Sequence, residues 1–328
     1  MKKLYQKYYD LLSDKVMPCY IRISIDESGA VNNCLSKQEV PVSVDKFTIS
    51  QCNALWTFSA MYNSVENNTV FLDFAHGTFN FMINHMLKRW EKTIHSGLFL
   101  SEENSAKLCL IESITEYFKV TGDERARRLM SDLFDMTLPT FQKCAQQPQG
   151  QNCFADVAKY AYFCDCLAVQ LKRSDISEEV FRLAVEVFDK YFSESQYYIS
   201  AKSAENNTLD YFDNILTTLF FLIRIFEKRK ENNSIDKCCY LIKKYIEIIC
   251  SYSEVNKNSD VYFGLLLASL CAYKHTKDES LLKVHMDLAL KIISSCDESF
   301  APLPCKTAND ELHIPRSLIA ICEMLCDM

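Results

Sequence analysis

Apolar residues recur along this chain at intervals of three and four, interrupted by short polar turns, and one phrase repeats. A helix closes on an aromatic residue, a few polar residues including an acid follow, and a second helix begins. The phrase stands at Tyr62-Asn-Ser-Val-Glu66, Tyr117-Phe-Lys-Val-Thr-Gly-Asp123 and Tyr273-Lys-His-Thr-Lys-Asp278, with weaker forms at Lys172-Arg-Ser-Asp175 and Lys230-Glu-Asn-Asn-Ser234. Its period of about fifty residues predicts helix hairpins, each burying one face against its neighbours. The first helix of each hairpin is expected over 48–64, 104–120, 152–171, 209–230 and 259–275, and the second over 68–93, 123–145, 176–192, 234–252 and 278–296.

Two helices remain, 3–15 and 314–327, and pairing the first with the last closes a ring of six hairpins. The expected fold is therefore all-α, an (α/α)6 barrel made by residues 1–328 as a single domain; an open superhelix of the same hairpins is its rival. Ile215 to Ile223 and Val261 to Ala272 are apolar nearly all round, which suits an inner layer of first helices. Second helices such as the one through Glu124-Arg-Ala-Arg-Arg-Leu-Met are amphipathic and suit an outer wall. The one long non-helical piece runs from Pro18 to Lys46, where the alternation at Tyr20-Ile21-Arg22-Ile23-Ser24-Ile25 predicts a short β-like segment over 20–25.

Composition sharpens this picture. Six glycines and seven prolines in 328 residues argue against a sandwich or barrel of strands. A net charge of −7 and a pI near 5.5 argue against nucleic acid or an anionic membrane as partner. The first fifteen residues carry Asp10 and Asp14 where a signal peptide would be apolar, so a cytoplasmic location is expected. The sixteen cysteines then read as small apolar core residues, among them Cys250, Cys271 and Cys322. They contain no C-x-x-C pair, so neither a metal nor a cofactor is expected.

Chemistry concentrates near the C-terminus, in Glu311-Leu312-His313-Ile314-Pro315-Arg316-Ser317-Leu318. Pro315 suits the first turn of a helix, which puts His313 at a helix mouth, where unpaired N–H groups favour a neutral imidazole and an anionic oxygen. There it either caps the helix or moves protons. The pocket of such a ring lies at the N-terminal ends of its inner helices. Those ends bring Asn53 and Trp56, Asp156 and Tyr160, Tyr211 and Asp213, Tyr262, and finally Glu311, His313 and Arg316. Aromatic faces for sugar C–H groups and amides or carboxylates for hydroxyls suit a small carbohydrate.

The closing Leu312-His313-Ile314-Pro315-Arg316-Ser317-Leu318 resembles the F-H-[IV]-P-R-[AC]-L motif of the N-acylglucosamine 2-epimerase and cellobiose 2-epimerase superfamily. Ser50-Gln-Cys-Asn-Ala-Leu-Trp56-Thr-Phe-Ser-Ala-Met-Tyr62-Asn is similar to that family's R-Q-x-W-x-[FY]-S-x-[LM]-Y-N helix, and Ala75-His76-Gly77-Thr-Phe79-Asn-Phe81 to its A-x-x-G-x-x-F-L helix. The resemblance implies the (α/α)6 fold and proton transfer at C2 of a sugar, with His313 in the place of the C-terminal catalytic histidine. The family uses two histidines and an arginine. Here the arginine's place holds Asn53, and the second histidine's helices bring Asp156 and Asp213 instead.

Three functions follow as expectations. The first is an atypical sugar 2-epimerase or isomerase acting on a hexose or N-acylhexosamine, with His313, Asp213 and Asp156 catalytic and Trp56, Asn53, Tyr160, Tyr211, Tyr262, Arg316 and Glu311 binding substrate. The second is a non-catalytic relative binding a carbohydrate or a protein. The third is an inverting glycosidase using Asp156 and Asp213 as its paired carboxylates. A homodimer is the candidate assembly.

Overall fold

The computed structural model describes residues 1–18, 21, 26, 29–31, 48–87, 104–146, 153–192, 209–251, 259–298 and 313–328. Among these residues there are twelve helices and no strand. They are α1 (Lys2–Asp10), α2 (Thr48–Ala60), α3 (Thr69–Phe81), α4 (Asn104–Thr121), α5 (Glu124–Gln146) and α6 (Cys153–Leu171). Then follow α7 (Ser174–Tyr191), α8 (Leu209–Arg229), α9 (Asn232–Ser251), α10 (Ser259–Thr276), α11 (Glu279–Glu298) and α12 (His313–Cys326). Helices α1, α2 and α3 run on as π-helical turns over Leu11–Val16, Met61–Val65 and Met82–Leu87. Every helix read from the apolar spacing is present, and 88–93 lie outside the described residues. Of the segment expected to be β-like over 20–25, Ile21 has helical backbone and the rest lies outside the described residues.

The hairpin turns explain how so few glycines suffice. Four helices end in a residue with left-handed backbone: Gly122 (φ 62°), Lys172 (φ 56°), Lys230 (φ 58°) and Lys277 (φ 55°). A lysine there costs about 1–2 kcal/mol that a glycine avoids. Schellman bonds offset the cost: the Arg173 N–H donates to Ala168 O at 2.9 Å and the Glu231 N–H to Phe226 O at 3.0 Å. The acid of the turn then caps the following helix. Asp123 Oδ1 accepts the Arg125 N–H at 2.8 Å, and Asp278 Oδ1 accepts the Ser280 N–H at 2.9 Å.

The chain forms two compact units, residues 1–137 with 293–328, and residues 138–292. In the first unit α2 packs on α3 and α4, and α1 packs on α12. Tyr8 and Cys322 are both fully buried where these terminal helices meet. Part of the long connection is docked here too. The Gln51 side chain pairs with the backbone of Val31 as a neighbouring strand would, accepting its N–H at 2.8 Å and donating to its O at 2.7 Å. Gly29, at φ 81°, lies against the backbone of Gly77, and its carbonyl accepts from Thr78 Oγ1 at 3.2 Å.

In the second unit α8 packs on α6, α9 and α10, while α6 packs on α7. The first helices of successive hairpins are therefore neighbours, as an inner layer requires. Ile215, Leu216, Leu219, Leu222, Ile223 and Phe226 of α8 are all buried, and so are Leu265, Leu266, Leu270 and Ala272 of α10. Burying one such leucine or phenylalanine side chain contributes about 1.5–3 kcal/mol. Cysteines join the cores of both units. Cys239 and Cys322 are buried thiols whose pKa burial pushes up to about 12, which keeps them protonated and apolar. Cys271 is buried as well, and the side chain of Cys250 lies outside the described residues.

Candidate functional site

The first unit brings three helices together around one cation. Arg316, in the first turn of α12, meets side chains of α2 and α4. Its Nη1 donates to Asn53 Oδ1 at 3.1 Å, and its other terminal nitrogen pairs with the Glu112 carboxylate. The guanidinium lies over the ring of Trp56, with Cζ 4.8 Å from the ring centroid, and the Cys109 thiol is a further hydrogen-bond partner. Only a guanidinium combines contact with an aromatic face and a fork of donors in this way. Arg316 and Glu112 retain 21% and 13% of their side-chain exposure, and Trp56 is half-buried, so the cluster borders solvent. Burial lowers the affinity of Arg316 for its proton while the Cys109 thiol opposes the shift. An arginine starts so far above neutrality that it stays charged.

Asn53 and Trp56 are thus joined to Arg316, as residues far apart in the chain. His313 is the first residue of α12, three positions before Arg316, and its side chain lies outside the described residues. Glu311 lies outside them altogether. Asp156 is half-buried in the first turn of α6. Tyr160 is fully buried: its ring stacks on Phe141 with centroids 4.1 Å apart, and it hydrogen-bonds Cys164, so its aromatic face is taken up inside the second unit. Tyr211 and Asp213 stand near the start of α8 and Tyr262 near the start of α10, with side chains outside the described residues.

Sequence reading expected α4 as a helix but gave it no part in the site. It carries Glu112, the ionic partner of Arg316, and Lys107, which retains only 1% exposure. Both had a signal. Lys107 stands in the first turn of a helix, where the dipole opposes a cation, and Glu112 interrupts the apolar run Leu108-Cys-Leu-Ile. Ser50 Oγ, at the start of α2, is buried without a hydrogen-bond partner among the described residues.

Three other histidines serve packing and pairing. His76 Nδ1 meets the Tyr117 hydroxyl at 2.8 Å, and His275 Nε2 meets Glu227 Oε1 at 2.8 Å. His285 is fully buried with Nδ1 3.1 Å from the Leu266 carbonyl oxygen, and burial pulls its pKa down to about 4. A neutral ring donating Nδ1–H fits that contact. Among the described residues no group of three or more His, Cys, Asp or Glu is placed to hold a metal ion, and no helix is long and apolar enough to cross a membrane.

Solved structures of sugar epimerases share this fold over essentially their whole length. The cellobiose 2-epimerase of Bacillus thermoamylovorans superposes with a TM-score of 0.70 at 13% identity, covering 98% of this chain and 100% of its own. A sugar epimerase from a ruminal bacterium gives 0.67 at 12% identity over 97% and 98%. The cellobiose 2-epimerase of Spirochaeta thermophila gives 0.65 at 12% identity over 99% and 98%. No family model and no curated protein matches the sequence. The fold is thus the (α/α)6 barrel of the sugar epimerases.

Proposed function

We propose that this chain is a sugar 2-epimerase-like protein that binds a hexose or N-acylhexosamine over Trp56 and moves a proton at C2 through His313. The observation that carries the reading is the meeting of α2, α4 and α12 at Arg316. It puts an indole face, an amide and a carboxylate beside the helix that begins with His313. The fold likeness to sugar epimerases supports the same class.

In this reading His313 takes the C2 proton of the open-chain sugar as base, and the C–H electrons move into the carbonyl as an enediolate. Return of a proton to the opposite face of C2 gives the epimer. A second acid is needed on that face, and Asp156 and Asp213 are the candidates. General acid or base catalysis supplies about 10²–10⁴-fold per group, so His313 alone would leave a slow enzyme. One observation favours a second reading, a binding protein without turnover. The position where the family carries an arginine holds Asn53, whose amide oxygen is occupied by Arg316.

Proton exchange at C2 separates the two. The protein is incubated in deuterated water with glucose-, mannose- and N-acylhexosamine-type sugars beside His313→Ala and followed by NMR. Deuterium at C2 that disappears in His313→Ala supports epimerase chemistry. Absence of exchange with every sugar, together with ligand-induced thermal stabilisation, sinks it in favour of binding alone.

A further inference from the structure

Arg316 joins residues of three helices at the candidate site. Glu112 takes one terminal nitrogen, Asn53 the other, Cys109 adds a third contact, and the Trp56 ring lies 4.8 Å from Cζ. We propose that Glu112 is a specificity-determining residue: by pairing with Arg316 it neutralises the cation beneath Trp56 and leaves that ring an uncharged stacking platform that disfavours anionic ligands. The inference rests on the reading that Trp56 receives the ligand.

Charge and geometry both point this way. A guanidinium 4.8 Å from a half-buried indole would give that face a positive potential if it stood alone. With the carboxylate in contact the pair is net neutral, and what remains is the flat hydrocarbon-like face that sugar C–H groups stack on. Glu112 comes from α4 and touches the ligand nowhere in this scheme. It acts by compensating the charge of Arg316, so removing its own charge while keeping its shape should change what the platform selects.

The test uses the full chain and its own fluorescence. The protein has two tryptophans, Trp56 and Trp90, so Trp90→Phe makes Trp56 the sole indole. In that background Glu112→Gln leaves the guanidinium uncompensated. At about 6 Å in water-like surroundings one unit charge changes local ion concentration about threefold, so iodide quenching of Trp56 should rise by that factor and caesium quenching fall by it. Glu112→Asp, which keeps the charge, should quench like the parent. Inorganic phosphate should perturb Trp56 in Glu112→Gln at concentrations that leave the parent unchanged.

Should Glu112→Gln not fold, Arg316→Gln carries the same test with the sign reversed: caesium quenching rises and iodide quenching falls. Equal iodide and caesium quenching in parent and variant would overturn the proposal. Failure of the parent to bind any neutral sugar would instead remove the sugar reading of Trp56, since the ion quenching is decided without a sugar.

Discussion

Glu227, near the C-terminal end of α8, sits where the helix dipole disfavours a carboxylate, yet it is held strongly ionised. Burial alone would raise its pKa. The hydrogen bond from His275 and the charges of Arg224 and Lys274 outweigh burial and bring it from 4.5 to about 2. The distances are 2.8 Å to His275, 3.0 Å to Arg224 and 3.4 Å to Lys274, and the side chain is 18% exposed. Glu227→Gln keeps the shape and removes the charge. A depression of that size corresponds to about 3 kcal/mol, and partial screening brings the expected loss at pH 7 to about 2–3 kcal/mol. Thermal unfolding should show a melting temperature about 3–5 °C lower. The pH dependence carries the sharper signature. A carboxylate with a lowered folded pKa contributes fully above 4.5 and loses its contribution as the pH falls toward 2. Urea midpoints measured from pH 6 to pH 2 should therefore fall more steeply in the parent than in Glu227→Gln. Parallel acid limbs in the two proteins would refute the reasoning.

Two further predictions concern groups within single units. His285, held neutral with a pKa of about 4 against 6.5 unfolded, makes the fold lose about 2 kcal/mol between pH 7 and pH 5, because the unfolded chain takes up the proton first. His285→Leu should flatten that part of the stability profile in urea titrations. Gly29→Ala combines left-handed backbone with a Cβ 2.9 Å from the Gly77 carbonyl carbon, whereas Gly122→Ala places its Cβ in open space at φ 62°. The second should cost about 1–2 kcal/mol and the first clearly more. Hydrogen exchange should localise the first loss to the contact of residues 29–31 with α2 and α3, and equal melting temperatures for the two variants would count against the docking of that segment.

The hairpins were readable because the information for them is local. Apolar spacing marks each helix face over a few turns, and an aromatic residue, a polar turn and an acid mark each reversal; Asp123 and Asp278 do cap the helices that follow them. The C-terminal motif pointed to the epimerase fold by the same local means. The lysines with left-handed backbone were not readable, since the turn stabilises them through Schellman bonds that a composition favouring glycine does not anticipate.

What only the tertiary structure decided is which polar residues meet. Asn53 and Arg316 are 263 positions apart, and nothing near either in sequence specifies the other. Glu112 reads locally as a stray acid in an apolar helix, and becomes the counter-ion of Arg316 only when α4 and α12 are placed beside α2. Tyr160, read from its place near a helix start as a ligand contact, is instead stacked on Phe141. Periodicity along the chain determines a helix and the face it buries. The partner of a charge depends on packing between distant helices, where desolvation makes an unpaired ion costly and so selects the pairs that form.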